Sequence, residues 1–435
     1  MFPRRKAVSE LNHLVFVASA LRLNAFILLV LVAVPCAIAQ ETVLIRIINN
    51  AVLVPVEING RHFNFLLDTG SDGSAINTST AADLKLIPHE TKKIQKNFRD
   101  LVVDVTVVAS LKIGNADFHH VELAEINLTP LSEALGAAVD GVLGNDILEQ
   151  FAFKLSYSRR TLLVGPLARL GTLGKSIRLR RSRGQFLVSI ALVSMPTELV
   201  LDTGTNSTNL SWKTWEDLTH VWTPKEIVEG IERAGNPTSQ AILVCLPLVR
   251  LGSVTIKNQV VRAQQKSDAG SFSSEDFGGI VGSDVLQQFE TTFDLQNNRM
   301  FLTPDTQYRS DPYRYVTIGI QIAKNATGAV QIMSVWKDSP AAHAGFKPGD
   351  LIKAVDGQPI DALSLEQVSG KLHAAEGTSI RITIERNAET STIAVQTRSL
   401  LCVHDRPQPK KKPSIPVGHH AQAEVPSANG ASSAN

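Results

Sequence analysis

The sequence has little cysteine, with three residues in 435. If residues 1–39 are removed, only Cys245 and Cys402 remain, too few and too far apart for a disulfide framework. The apolar run 241–249 around Cys245 is typical of a buried thiol, and the sequence leaves open whether the two cysteines pair. No cysteine or histidine spacing matches a zinc site, so we expect neither a metal nor another cofactor.

An excess of charge of either sign is also lacking. The 43 lysines and arginines balance 41 aspartates and glutamates, so no basic field indicates nucleic-acid binding. Charged residues make up 19% of the chain and hydrophobic residues 43%, which is typical of a globular protein rather than a disordered one. A chain of 435 residues predicts roughly two to four domains.

Two common hydrolase motifs are missing. The sequence contains neither Gly-x-Ser-x-Gly nor His-Glu-x-x-His. It therefore gives no support to a serine hydrolase or a zinc protease of the kinds that carry these motifs.

The N-terminus combines a basic opening with an uncharged run from Leu23 to Gln40. Ala37-Ile38-Ala39 is similar to the A-x-A site at which secretory signal peptides are cleaved. The run of 18 residues is just short of the ~20 that a spanning helix needs. The pattern predicts a protein exported to a bacterial periplasm or secreted, with residues 1–39 as signal peptide. The alternative is an uncleaved inner-membrane anchor formed by residues 23–40.

An internal repeat organises the middle of the chain. Phe65-Leu-Leu-Asp68-Thr-Gly-Ser71 matches Leu199-Val-Leu-Asp202-Thr-Gly-Thr205, at an offset of 134. Downstream, Gly141-Val-Leu-Gly144-Asn-Asp146-Ile-Leu148-Glu-Gln150-Phe151 matches Gly279-Ile-Val-Gly282-Ser-Asp284-Val-Leu286-Gln-Gln288-Phe289, at an offset of 138. Two blocks in the same order and at similar offsets predict two copies of one unit, at residues 41–172 and 173–306.

Both copies have a β-rich pattern. Short runs rich in Val, Ile and Leu are bounded by turn-forming residues and predict strands. They are Val43 to Ile48, Val52 to Ile58, Val102 to Val108 and Phe186 to Val193. Helical patterning is scarce; the short pieces are Ser79 to Leu86, Ile147 to Phe151 and Asp284 to Phe289.

A third, smaller α+β unit is predicted at residues 313–400. Its predicted strands are Val316 to Ile322, Ala329 to Val335 and Ser379 to Glu385, and its predicted helices are Pro340 to Ala344 and Ser364 to His373. Residues 403–435 are rich in Pro, Lys, Ser, Ala and Gly, a composition that predicts a disordered tail.

The repeated aspartates carry the candidate chemistry. Asp68 and Asp202 each follow a hydrophobic strand and precede Thr-Gly, where a glycine brings backbone N–H groups close to the carboxylate. We expect the hydroxyls of Ser71 and Thr205 to hydrogen-bond the same carboxylates. If the copies pack about a pseudo-two-fold axis, the two carboxylates meet and share one proton. Such a pair can activate a water for hydrolysis without a metal.

These motifs resemble the aspartic protease family, pepsin-like and retropepsin-like. The resemblance covers about 265 residues, from Glu41 to Asp305, and implies a mainly β fold with two pseudo-symmetric β-barrel lobes. It also implies that Asp68 and Asp202 form the catalytic dyad and that Thr69 and Thr203 bind across the lobe interface. Site support is implied for the turn residues Gly70, Ser71, Gly204 and Thr205, and for Gly144 and Gly282, whose hydrophobic-hydrophobic-Gly elements lie beneath the dyad.

One departure concerns the flap that covers the dyad in pepsin-like enzymes. No tyrosine lies where the pepsin-like flap carries one, and the first copy has no glycine between Gly73 and Gly114. The alternatives are a flap from the second copy, near Gly230 and Gly235, or a lid around Lys92 to Asp100.

The third unit resembles a PDZ domain, more like those of bacterial exported proteases than of signalling proteins. The motifs are Thr317-Ile318-Gly319-Ile320 and the run from Ser339 to Ile352. The resemblance implies that Ile318, Gly319 and Ile320 form a loop that presents N–H groups to a peptide carboxylate. The adjacent strand edge and helix would accept a peptide as an added strand. The alternative is a module that only braces the lobes.

The sequence therefore predicts a monomeric, exported aspartic endopeptidase that acts on proteins or peptides, with a PDZ module for peptide or C-terminus recognition. Membrane contact is expected only if the N-terminal segment stays as an anchor. The alternative function is a non-catalytic peptide-binding adaptor that retains the protease fold.

Overall fold

The computed structural model describes residues 41–96, 99–225, 227–233, 238–264, 277–309, 316–325 and 327–401. The predicted signal peptide, residues 1–39, and the predicted tail, residues 403–435, lie outside the described residues. Within the described ranges the protein is mainly β, which confirms the expected fold class.

The first part of the chain forms an eight-stranded sheet in the order β2-β3-β4-β9-β5-β8-β7-β6, called here the first lobe. The strands up to Gly165 are β1 (Glu41–Leu44), β2 (Arg46–Ile48), β3 (Ala51–Ile58), β4 (Arg61–Leu67), β5 (Ala75–Asn77), β6 (Glu90–Lys96), β7 (Arg99–Ile113), β8 (Ala116–Ile126), β9 (Gly141–Leu143), β10 (Ala152–Ser156) and β11 (Thr161–Gly165). The helices are α1 (Thr78–Asp83), α2 (Thr129–Leu135) and α3 (Asn145–Leu148), with a 3-10 turn at Leu167–Arg169.

The second lobe repeats this arrangement, with the strand sequence β13-β14-β19-β15-β18-β17-β16. The strands are β12 (Lys175–Ser182), β13 (Gln185–Leu192), β14 (Met195–Leu201), β15 (Asn209–Leu210), β16 (Ile227–Arg233), β17 (Thr238–Leu251), β18 (Val254–Gln264), β19 (Gly279–Val281), β20 (Phe289–Asp294) and β21 (Arg299–Pro304). The helices are α4 (Trp212–Val221) and α5 (Ser283–Leu286), with a 3-10 turn at Leu295–Asn297.

A shared sheet joins the two lobes. The strands β1, β11 and β10 of the first copy continue into β20, β21 and β12 of the second. Phe153 and Phe293, at matching places on β10 and β20, stack with ring centroids 4.6 Å apart. One buried hydrophobic core runs through both lobes and this sheet. Because the lobes share strands and core, their relative position is fixed, which matters for any site built between them.

The C-terminal module (Val316–Leu401) has a separate core, and its main sheet has the order β23-β24-β25-β27-β28. Its strands are β22 (Val316–Thr317), β23 (Ile320–Lys324), β24 (Val330–Val335), β25 (Leu351–Val355), β26 (Gln358–Pro359), β27 (Ser379–Arg386), β28 (Glu389–Gln396) and β29 (Arg398–Ser399). Its helices are α6 (Pro340–His343) and α7 (Leu365–Leu372), with a 3-10 turn at Ile360–Ala362. The side chains of Ser364 and Gln367 form a capping box that begins α7.

The structure corrects two predicted strands and adds two helices. The predicted strand Val43 to Ile48 is split at Ile45, because β1 joins the shared sheet and β2 joins the first lobe. The predicted strand Val316 to Ile322 breaks at Gly319, whose φ of +87° is incompatible with an extended chain. Sequence patterning missed α2 and α4, although Ser211 caps α4 through its side chain.

Two further expectations concern the cysteines and the membrane. Cys245 is disulfide-bonded rather than a free thiol, which corrects the interpretation of the run around it. Its candidate partner, Cys402, lies outside the described residues. No helix within the described ranges combines the length and the apolar character needed to cross a bilayer.

Candidate active site

Both repeated aspartates lie directly after a central strand of their lobe. Asp68 follows β4, which pairs in parallel with β9, and its N–H donates to the Leu143 carbonyl at 3.1 Å. Asp202 follows β14, which pairs in parallel with β19, and its N–H donates to the Val281 carbonyl at 3.1 Å. The hydrophobic-hydrophobic-Gly elements therefore position the aspartates through the backbone, as the resemblance implied.

The two lobes meet through the threonines that follow the aspartates. The Thr69 N–H donates to Thr203 Oγ1, and the Thr203 N–H donates to Thr69 Oγ1, both at 3.1 Å. Each hydroxyl also donates to a carbonyl of the opposite lobe, Thr69 to Leu201 at 2.9 Å and Thr203 to Leu67 at 2.8 Å. Both threonines are fully buried. This set of four bonds brings the two aspartate turns together.

The glycines permit the close approach of the carboxyl groups. A Cβ atom on Gly70 would lie 2.4 Å from Asp202 Cγ, and one on Gly204 would lie 2.6 Å from Asp68 Cγ. Each glycine N–H donates to the aspartate of its own lobe, at 2.9 Å to Asp68 and 2.7 Å to Asp202. Any other residue at these positions would displace the opposite carboxyl group.

A second pair of glycines lies beneath the turns. A Cβ atom on Gly144 would lie 2.4 Å from the Gly73 carbonyl carbon, and one on Gly282 would lie 2.5 Å from the Ser207 carbonyl oxygen. Both contacts are with backbone, which cannot move aside as a flexible side chain can. In both copies of the repeat, the glycine at this position therefore leaves room for the backbone of the turn above it.

The carboxyl groups form a coupled pair that differs between the lobes. Burial raises the pKa of Asp68, whereas a hydrogen bond from Asp202 and the N–H groups of Gly70 and Ser71 lower it. Burial and the negative charge of Asp68 raise the pKa of Asp202 well above its ordinary value. The larger rise at Asp202 favours the shared proton on Asp202 and the ionised form of Asp68. Both aspartates remain partly exposed, so water can reach them.

The hydroxyl residues behave differently from the expectation. The Ser71 hydroxyl donates to the Gly73 carbonyl at 2.8 Å, so it stabilises the turn and does not donate to Asp68. Thr205 contacts Asp202 through its backbone N–H, at 3.1 Å. In both turns the main chain supplies the donors to the carboxylates, because the tight turn leaves N–H groups pointing at them.

Sequence reasoning missed two supporting residues, which directly follow Gly144 and Gly282. Asn145 Nδ2 donates to the Thr69 carbonyl at 2.9 Å, and Ser283 Oγ donates to the Thr203 carbonyl at 3.1 Å. Tyr157 donates to Ser283 Oγ at 3.1 Å from below. These side chains fix the threonines of the lobe interface, and their signal was their place in the second repeated block.

The second repeated block also contains an aspartate in each copy, whose structural role was not predicted. Asp146 accepts from Ser74 Oγ at 2.6 Å, and Asp284 accepts from Thr208 Oγ1 at 2.7 Å. The Ser74 hydroxyl in turn accepts from the Gly144 N–H, and the Thr208 hydroxyl accepts from the Gly282 N–H. Asp284 is buried, whereas Asp146 is exposed, and both carboxylates support the hydrogen-bond network beneath the turns.

Each lobe carries a long hairpin at the same place in its topology. In the first lobe it is β6–β7, which contains the segment expected as a lid, and in the second lobe it is β16–β17, which contains Gly230. The fold therefore provides a hairpin at each of the two places where the sequence suggested a flap or a lid. The turn residues 97–98 and 234–237 lie outside the described residues.

The residues expected in the peptide-binding loop lie together at the start of β23. Ile318 is fully buried, and its carbonyl accepts from the Ala341 N–H at 2.8 Å. A Cβ atom on Gly319 would lie 2.3 Å from Ser339 Cβ, so the loop requires glycine. Ile320 begins β23, which is the edge strand of the main sheet and lies beside α7.

A cleft of about 880 Å³ connects this groove to the second lobe. Its walls include Ile320 and Ile322 of β23 and Leu372 of α7 on one side, and Asn206 and Val228 of the second lobe on the other. The groove of the C-terminal module therefore faces the lobes.

One exposed cluster has the composition of a cation site. His89, Glu90 and Glu122 bring ligand atoms within 4.8 Å of one another. The ammonium group of Lys92 lies 2.5 Å from Glu90 and 2.6 Å from Glu122. Its hydrogen bonds to the carboxylates of Glu122 and Glu90 raise the pKa of Lys92. A lysine thus already neutralises the carboxylates.

Comparison with known families agrees with this geometry. A family model described as aspartyl protease matches residues 54–147, which contain Asp68 and Gly144. A model described as PDZ domain matches residues 331–386, within the C-terminal module.

The curated relatives carry a different protease name. A probable CtpA-like serine protease of Staphylococcus haemolyticus (strain JCSC1435) is 28% identical over 134 residues, 30% of this chain and 25% of that protein. One of the same name from Staphylococcus saprophyticus is 34% identical over 82 residues, 19% and 16%. One from Staphylococcus aureus (strain COL) is 28% identical over 86 residues, 20% and 17%. The chain spans a quarter or less of the length of these curated relatives.

Taken with the paired aspartate turns and the edge-strand groove, the family matches show that this chain contains an aspartyl protease domain followed by a C-terminal PDZ domain.

Proposed function

We propose that the protein is an aspartic endopeptidase that hydrolyses peptide bonds with a water held between Asp68 and Asp202. One observation carries the proposal: four cross-lobe bonds between the Thr69 and Thr203 turns bring the two carboxyl groups into hydrogen-bond contact. The pair is partly exposed, has one shared proton and is surrounded by backbone donors.

The chemistry follows from the unequal protonation of the pair. Asp68, as the ionised partner, removes a proton from the water as its oxygen attacks the scissile carbonyl carbon. Asp202 donates its proton to the carbonyl oxygen, which gives a neutral tetrahedral diol. Collapse of the diol breaks the C–N bond, returns a proton to the dyad and protonates the leaving amine.

The name of the relatives implies a serine nucleophile in place of an activated water. It gives only weak support to that mechanism in this chain. The matches cover 19–30% of it, and two of them are about as long as the C-terminal module alone. The aspartyl protease match lies in the first lobe, where Asp68 is. A PDZ-type module shared by proteases of different mechanisms accounts for both findings.

We propose further that the C-terminal module binds peptides by strand addition to β23, and that the substrates are proteins or peptides. The position of β23 at the end of the main sheet, beside α7, supports this, since an extended peptide can pair with an edge strand. Both catalytic carboxyl groups come from one chain, so we propose a monomeric enzyme whose specific activity is independent of its concentration.

Export to a bacterial periplasm or secretion is also a proposal. It is supported by the basic opening and the Ala37-Ile38-Ala39 site of the sequence. Finding Gln40 or Glu41 as the N-terminal residue of the protein purified from its cell would support cleavage. Retention of residues 23–40 in the membrane fraction would favour the anchor.

The mechanism can be tested with purified residues 40–435 and a mixed peptide library from about pH 3 to about pH 8. We expect cleavage that Asp68→Asn and a transition-state-mimicking aspartic protease inhibitor abolish, and that a serine-directed sulfonyl fluoride leaves intact. Asp83→Asn, an exposed aspartate of α1, is the matched control.

Two outcomes would contradict the proposal. Cleavage retained by Asp68→Asn but lost with the sulfonyl fluoride would support the serine mechanism of the relatives. Folded wild-type protein that binds peptides without cleaving any would support the adaptor function.

A further inference from the structure

The β12–β13 hairpin of the second lobe ends against the aspartate turn of the first lobe. Its turn residue Gly184 has a φ of +77°, the left-handed geometry of a tight hairpin. A Cβ atom on Gly184 would lie 2.5 Å from Asp72 Cβ. Asn145 Nδ2, which holds the Thr69 carbonyl, also donates to the Gly184 carbonyl at 3.2 Å. The hairpin is therefore in direct contact with the residues that follow Asp68.

The first residue of β13 donates to the aspartate turn itself. Gln185 Nε2 donates to the Gly70 carbonyl at 3.0 Å. That carbonyl and the Ser71 N–H belong to one planar peptide unit and point in opposite directions. The Ser71 N–H faces Asp68, because it donates to the Asp68 main-chain carbonyl at 3.3 Å and lowers the pKa of the Asp68 carboxyl group. A donor on the Gly70 carbonyl therefore fixes the direction of the N–H on the other side of the same peptide unit.

The preceding peptide unit of the turn is held in the same way. The Gly70 N–H donates to the Asp68 carboxylate at 2.9 Å, and the carbonyl of that peptide unit, on Thr69, accepts from Asn145. Two side-chain amides, on Asn145 and Gln185, thus hold the two peptide units whose N–H groups face Asp68. The tight turn presents the donors, and the amides fix their direction.

The repeat does not reproduce the second of these amides in the other lobe. The pairing of β3 with β4 matches the pairing of β13 with β14 at an offset of 134, so Ala51 occupies the place of Gln185. An alanine side chain has no donor. The first amide does have a counterpart, because Ser283 at the place of Asn145 donates to the equivalent carbonyl. The first-lobe turn therefore has a support that the corresponding position of the second-lobe turn cannot supply.

We propose that Gln185 is a positioning residue, which holds the Gly70–Ser71 peptide unit toward Asp68 and thereby favours Asp68 as the ionised member of the pair. This inference rests on the proposed function of the dyad. Gln185 donates to the main chain and not to a reacting atom. Its loss should therefore lower kcat and kcat/KM together and leave KM nearly unchanged.

The test is the pH profile of kcat/KM in Gln185→Met, measured on the full chain. Methionine has a similar length but no amide donor, and the side chain of Gln185 is only half-buried, so the fold should be kept. Without this donor the Ser71 N–H is held less firmly toward Asp68, which raises the pKa of the Asp68 carboxyl group. The acidic limb should therefore move up by about half a pH unit or more. At the optimum, kcat should fall by about threefold or more while KM changes by less than about twofold.

Two further variants make the result specific. Gln331→Met removes a bond of the same kind, from a half-buried glutamine to the Gly349 carbonyl at 3.0 Å, but in the C-terminal module. Its pH profile should match that of the wild type. Gln185→Leu also lacks the donor and should move the acidic limb in the same direction, and it replaces Gln185→Met if that variant does not fold. A lower melting temperature with an unmoved acidic limb would show a merely structural role and overturn the proposal.

An NMR titration of the aspartate carboxyl carbons needs no turnover, and so separates this proposal from the proposed function. The Asp68 signal is assigned by its loss in Asp68→Asn. A higher Asp68 midpoint in Gln185→Met than in the wild type, in protein that cleaves no peptide, would support the positioning role and overturn the proposed function. Normal cleavage with an unmoved midpoint and acidic limb in folded Gln185 variants would overturn the positioning role alone.

Discussion

Thr69 and Thr203 each donate to and accept from the other, so that the backbone N–H of one is bonded to the hydroxyl of the other at 3.1 Å in both directions. The two residues are 134 positions apart in the sequence. Their reciprocity shows that the two copies of the repeat are related by a pseudo-two-fold axis that passes between them, and the dyad lies next to that axis.

Replacing Thr203 with valine removes a hydroxyl that satisfies two buried groups, the Thr69 N–H and the Leu67 carbonyl. We expect the free energy of unfolding to fall by about 2 to 4 kcal/mol, because both groups stay buried without a partner. Denaturant unfolding measures the loss, and cleavage of a peptide substrate should fall with it. Thr203→Ser keeps the hydroxyl and should stay close to wild type. A Val variant with wild-type stability would show that these bonds do not hold the lobes together.

Gly70→Ala places a Cβ atom only 2.4 Å from the present position of Asp202 Cγ. We expect kcat/KM to fall by about a hundredfold or more, because the added methyl group displaces the Asp202 carboxyl group from its position next to Asp68. Gly73→Ala is a matched control three residues away, since a Cβ atom there has no heavy atom within 4 Å. Steady-state kinetics on both variants gives the comparison. Equal activities would contradict the close contact between Gly70 and Asp202.

The pH dependence of cleavage follows from the shared proton. Under the proposed mechanism one carboxyl group of the pair is ionised and the other is protonated, so kcat/KM should follow a bell-shaped curve. Because the pKa values of both groups are raised, the acidic limb lies above the ordinary aspartate range and the upper limb lies higher still. A pH profile of kcat/KM measures both limbs. A rate that rises steadily through neutral pH would instead indicate a histidine or thiol base.

Asp202→Asn should stabilise the protein at neutral pH. Asp202 has a raised pKa in the folded state, so its contribution to stability is fully present below the unfolded pKa and is lost as the pH rises through the folded pKa. Asparagine mimics the protonated form at every pH, so the melting temperature should rise by a few degrees at pH 7 but not at about pH 3. Thermal unfolding at the two pH values provides the test. A lower melting temperature at pH 7 would show that the ionised pair is stabilising.

The repeat of this protein and its paired aspartate turns could be predicted from the sequence. The two Asp-Thr-Gly turns, the lower glycines and the edge-strand loop at Gly319 all depend on residues that are neighbours in the chain. Turn geometry needs only a few consecutive residues, and strand patterning needs only a short apolar run. For that reason most of the predicted strands and all three short helices of the lobes lie close to their predicted places.

The elements that sequence patterning missed are those that tertiary contacts select. The helix α4 has a capping serine and an amphipathic pattern with Trp215 and Leu218 on its buried face, but this short pattern lies within a β-rich stretch. The supporting residues Asn145 and Ser283 carry no chemistry in isolation. Their role arises only because each lies beneath the threonine of its own lobe.

The sequence by itself determined that two aspartate turns of the same kind occur in one chain, with a peptide-binding type of module after them. Only the tertiary structure decided that Thr69 and Thr203 bond each other, that the pKa of Asp202 is raised well above its ordinary value and that Trp336 contacts the second-lobe hairpin β16–β17. The physical reason is the separation along the chain between the residues that interact. Turns and strands are encoded by local sterics, whereas proton sharing and interdomain contact depend on distances and desolvation between residues that are far apart in the chain.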